Sequence, residues 1–72
     1  MNIKNFVGKE VALFPHDSYK KNAILLSIDE YGYTFKITSC EKGSYYAENE
    51  IVFFNHANKI QISDKLNNIR KL

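Results

Sequence analysis

The sequence predicts an all-β domain: a small, strongly bent, five-stranded antiparallel barrel preceded by a short N-terminal helical turn. Three observations carry that prediction. Short runs of β-branched and aromatic residues alternate with polar ones. Clusters of Asp, Asn, Ser, Gly and Pro separate those runs at near-regular spacing. And 72 residues cannot build two full sheets, so one sheet must bend over its own core. The chain reads as a single domain with its core over about 6–63 and a short basic tail over 64–72.

The elements follow in order. Ile3, Phe6 and Val7 stand among polar residues, a segment too short for a free helix but able to dock as one turn. After Gly8, Val11-Ala12-Leu13-Phe14 makes a first strand that Pro15 ends, because proline removes a ladder donor. His16, Asp17 and Ser18 continue the turn. Ala23 to Ile28 is a second strand, with Ile24, Leu26 and Ile28 on one face and Leu25 on the other. Asp29-Glu30-Tyr31-Gly32 is a turn. Tyr33, Phe35 and Ile37 then face inward from a third strand, against Thr34, Lys36 and Thr38 outward.

A polar loop over 41–50 carries Tyr45-Tyr46 and leads to the stretch around which the chain is organised. Ile51-Val52-Phe53-Phe54 is apolar on both faces, Asn55 to Asn58 form a tight turn, and Ile60 and Ile62 alternate with Lys59, Gln61 and Ser63. With Ile51 and Phe53 in the core, Val52 and Phe54 point outward. Exposed apolar stripes mark contact surfaces, so a second chain is expected to cover them. Leu66, Ile69 and Leu72 keep a helical spacing, but nine residues do not hold a helix alone, and the segment reads as a tail with Lys65, Arg70 and Lys71.

Composition bounds function. A domain of this size is marginal alone and commonly gains stability from disulfides, a metal or self-association. Cys40 has no partner in the chain, and one Cys with two His at positions 16, 40 and 56 lacks a close ligand pair. No metal or cofactor is expected, which leaves self-association. There is no run long enough to cross a membrane and no signal peptide, so the reading is a cytoplasmic protein. The net charge of +2 permits nucleic acid without demonstrating it. No Ser, Cys or carboxylate stands at a telling spacing from His56, so no catalytic set is expected.

The order of parts resembles the Sm-like family of ring-forming RNA-binding proteins, a Src-homology-3-type barrel, over roughly residues 6–62. Gly8 with Val11 and Leu13 is similar to the opening of the family's first strand, and Ala23 stands where the family has a bend-permitting glycine. Asp29-Glu30-Tyr31-Gly32-Tyr33 resembles the turn whose aromatic stacks on a base and whose Asn reads the base edge. Here Tyr33 holds the Asn slot. Phe54-Asn55-His56-Ala57 looks like the Tyr-Lys-His-Ala segment of the Hfq-type branch, with Asn55 in place of the basic residue.

The resemblance implies a homo-oligomeric ring of five to seven subunits that binds single-stranded RNA near its pore. Tyr31, Tyr33, Asn55, His56, Asn58 and Lys59 would contact RNA. Subunits would join by pairing the fourth strand of one copy with the fifth of its neighbour, placing Val52, Phe54, Ile60 and Ile62 at the interface. Each feature also has a plain structural reading: Tyr31 as a solvated cap, Tyr33 as core, Asn55 to Asn58 as ordinary turn formers, and Lys20-Lys21 as a solvated pair. A barrel that holds an unidentified protein partner through Val52, Phe54 and the Tyr45-Tyr46 loop is the rival functional reading.

Overall fold

The computed structural model describes residues 3–64 and the backbone of 69–71. A single 3-10 turn, Ile3–Phe6, is followed by β1 (Glu10–Leu13), β2 (Lys21–Ile28), β3 (Gly32–Cys40), β4 (Ile51–Asn55), β5 (Gln61–Ser63) and β6 (Ile69–Lys71). All belong to one antiparallel sheet in the order β4-β3-β2-β1-β5-β6. The all-β class and the docked N-terminal turn are as the sequence predicts, with Ile3 and Phe6 packed against the core. Among the described residues, no helix is long and apolar enough to cross a membrane.

The sheet is rolled, and one contact demonstrates it. Phe14, just after β1, meets Phe54 of β4 edge to face with ring centroids 5.5 Å apart. In a flat sheet those strands would stand three spacings, roughly 14 Å, apart. Two irregularities in the β2–β3 ladder supply the bend, one between Asn22 and Ala23 and one between Leu25 and Ser27. Such bulges kink a strand and increase its twist. The second bulge inserts Leu26 as an extra residue, which ends the shared face expected for Ile24, Leu26 and Ile28. Leu26 goes to solvent, Ile28 packs on the core, and Ala23 and Leu25 are fully buried. Phe35, Ile37, Val11, Leu13, Ile60 and Ile62 complete the interior.

In β4 the expected faces are exchanged. Val52 is 9% exposed and Phe54 is half-buried against Phe35, whereas Ile51 and Phe53 stand 56% and 52% exposed. The register explains the inversion. Phe35 pairs with Val52 and Tyr33 with Phe54, and cross-strand partners share a face. The inward stripe of β3 therefore carries the even-numbered residues of β4 inward with it. A strand apolar on both sides has no alternation of its own to decide the matter.

The expected interface is corrected by the same geometry. Val52, Ile60 and Ile62 fill this chain's own core, and Phe54 is mostly spent there. The tail reading is also corrected for 69–71, whose backbone pairs with β5 from Gln61↔Lys71 to Ser63↔Ile69. An open β5 edge offers backbone partners that an isolated helical turn does not. Since β1 occupies the other side of β5, the strand that the resemblance offers to a neighbouring copy is already paired on both sides. Lys65, Leu66 and Leu72 lie outside the described residues.

The β4 assignment is checked by a pair of truncations. Phe35→Ala should cost about 3–5 kcal/mol in urea unfolding and Phe53→Ala less than about 1 kcal/mol. Equal losses would overturn the assignment.

Candidate nucleic-acid interface

Two turns far apart in sequence are built by the same chemistry and then locked together. In the first, the Asp29 carboxylate accepts the amides of Tyr31 at 2.8 Å and Gly32 at 3.0 Å, while Asp29 N–H donates to the Gly32 carbonyl at 3.0 Å. In the second, Asn55 Oδ1 accepts the Ala57 amide at 2.8 Å, and Asn58 Oδ1 accepts the Asn55 amide at 3.0 Å. Asp and Asn occupy these positions because their short side chains mimic a backbone turn.

His56 joins the two. Its backbone N–H donates to the Tyr31 carbonyl at 3.2 Å, and its Nε2 lies 2.8 Å from the Asp29 carbonyl oxygen. A carbonyl only accepts, so Nε2 carries the proton and a neutral ring leaves Nδ1 as an acceptor. The Tyr33 ring packs edge to face on the imidazole, with centroids 4.9 Å apart. Gly32 makes the approach possible: a Cβ there would sit 2.1 Å from the Phe54 carbonyl oxygen, closer than any real contact. Gly32 is also the ladder partner of Asn55, which fixes the turns side by side.

The structure thus brings Tyr31, Asn55, His56 and Asn58 to one junction. Tyr31 offers its ring to solvent at 69% exposure. The carboxamide oxygens of Asn55 and Asn58 are engaged in their own turn, while among the described residues no bond takes their Nδ2 donors. Tyr33 is a correction: at 9% exposure it holds His56 in place and has no free face for a base. Lys59 instead borders an open cleft of about 300 Å³ with Phe14, His16, Asp17 and Gln61. Asp29 and Glu30 flank Tyr31, so the junction favours stacking over attraction of phosphate.

A second cluster escaped the sequence reading. Lys21, expected in water, is 5% exposed, with its ammonium 3.0 Å from Asp17 Oδ2, 3.1 Å from the Tyr19 carbonyl and 5.6 Å from the Phe14 ring centre. Its spacing from Ala23 and Leu25 on an alternating strand was the available signal. Asp17 is thereby committed to an ion pair. Around the pair, Phe14, Tyr19, Tyr45 and Tyr46 wall a cleft of about 390 Å³. Phe14 holds a left-handed φ of 50°, an uncommon conformation for a bulky residue. Tyr46 closes the loop base, its carbonyl 3.2 Å from Cys40 Sγ. Burial pushes the Tyr46 hydroxyl above its ordinary value of 10.0, with Tyr45, Glu50 and Asp17 adding to the effect.

Comparison with protein-family models, with curated proteins and with solved structures found no match for this chain.

Gly32→Ala should separate the two turns at a cost of about 1–3 kcal/mol, seen in the unfolding midpoint and in a changed His56 ring resonance. A variant with an unchanged midpoint and His56 signal would contradict the close approach. For Tyr46, the unfolded chain ionises first, so folding stability is intact below pH 10.0 and falls as the pH rises through the elevated folded value. Alkaline unfolding of Tyr46→Phe should show a shallower fall; an identical profile would remove Tyr46 as its source.

Proposed function

We propose that this chain is a non-enzymatic binding module for single-stranded RNA, with the junction of the 29–32 and 55–58 turns as its contact surface. The observation that carries this reading is the exposed Tyr31 ring, held by Asp29 and backed by the His56 bridge. A base stacked on an aromatic side chain gains about 1–3 kcal/mol whatever its identity. The Asn55 and Asn58 amide groups supply donors beside that platform, suited to carbonyl oxygens and ring nitrogens on base edges. Unstacked bases of single strands present both features at once, whereas duplex bases do not.

The mild charge and the acidic neighbours of Tyr31 place most of the affinity in stacking. Binding should therefore respond less steeply to salt than that of proteins making many phosphate contacts. Fluorescence anisotropy with short ribonucleotide oligomers at low salt tests the reading. Tyr31→Ala should weaken binding by about 5- to 150-fold, the equivalent of one lost stack, without changing the unfolding midpoint. No detectable binding by the unaltered protein, or equal affinity in the variant, would overturn it.

A further inference from the structure

We propose that β4 is a self-recognition edge: two copies of this chain pair their β4 strands antiparallel about a two-fold axis. β4 ends the strand order and has β3 as its sole ladder neighbour among the described residues. The Glu50 carbonyl accepts from the Ile37 amide at 2.8 Å, and bonding direction alternates along an antiparallel strand. Val52 and Phe54 thus direct their backbone groups to β3, and Ile51 and Phe53 turn theirs to the open edge. The same two residues carry the exposed apolar side chains.

Edge strands are commonly blunted by charge, proline, a bulge or brevity. Ile51–Asn55 contains no charge and no proline, and its register with β3 runs without a shift. The other end of the sheet, β6, offers three residues against five in β4. Two β4 edges therefore make the longer ladder, and β5 is closed to a newcomer by its pairing on both sides.

The edge is complementary to itself in one register. The Asn55 amide is taken by Asn58 Oδ1, leaving the amides of Ile51 and Phe53 as the open donors. Pairing centred on Val52 sets Ile51 of one copy opposite Phe53 of the other, so each open donor and acceptor finds its counterpart. The half-exposed isoleucine and phenylalanine then cover each other across the axis. Ile51–Asn55 holds no charged residue, so no like charges meet along the ladder. Two side chains and a short ladder are less than the roughly 1,200 Å² of a stable interface, so the dimer is weak and concentration-dependent.

The inference stands apart from the RNA reading, and its measurement uses no nucleic acid. Sedimentation velocity on the full chain, up to about 1 mM, should show a shift from one copy to two. Amide exchange at Ile51 and Phe53 should slow as the dimer forms. Phe53→Lys and Ile51→Lys should stay single throughout with unchanged circular dichroism, while Asn5→Lys, a matched charge placed elsewhere, should dimerise normally. A single copy at every concentration would overturn the proposal. So would a Phe53→Lys chain that assembles as before, unslowed exchange at both amides, or a mass of five to seven copies, which requires a head-to-tail contact instead.

Discussion

The register between β3 and β4 is the constraint on which the rest of this structure depends. Phe35 opposite Val52 and Tyr33 opposite Phe54 turn one side of β4 inward, and Phe54 then reaches Phe14 across the rolled sheet. The same alignment places Gly32 against Asn55 and so lays the two polar turns side by side. It also leaves Ile51 and Phe53 on the outside. A slip of one residue would reverse all three outcomes together, because side-chain direction has a period of two.

Rolling a single sheet is how so short a chain obtains an interior. Leu25, Phe35, Ile37 and Ile62 are fully buried although the strands among the described residues form one sheet. Each contributes through apolar area removed from water, and a domain of this size has few such residues to lose. The bulges at Thr38 and Leu26 are part of this economy of shape. Thr38, displaced from the ladder, donates its hydroxyl to the Glu10 carboxylate at 2.6 Å and ties β3 to β1 across β2. At the far end, the buried Lys21 is neutralised by Asp17 and anchored to the Tyr19 carbonyl, which fastens the 14–20 loop. A buried ammonium without such partners would be strongly destabilising.

The two ends of the sheet differ in chemistry. At the 29–32 and 55–58 end, turn-forming side chains are consumed by their own backbone, and what remains outward is one aromatic ring and amide donors. An aromatic ring beside amide donors is the chemistry on which the proposed RNA contact draws. At the other end, aromatic rings surround an ion pair whose charges cancel.

Much of this was legible in the residues themselves. The inward run Tyr33-Phe35-Ile37, the turn chemistry of Asp29 and Asn55, the stop at Pro15 and the docked Ile3 and Phe6 depend on local alternation and short-range hydrogen bonds, and the sequence alone determined them. The direction of β4, the burial of Lys21, the bulge at Leu26 and the capture of 69–71 by β5 were decided only in three dimensions. Each is a question of which partner a strand meets, and a strand that is apolar on both faces, or an edge that any backbone can fill, carries no local preference. The meeting of Tyr31 with His56 is of the same kind: the turns are local, but their contact belongs to the pairing of β3 with β4.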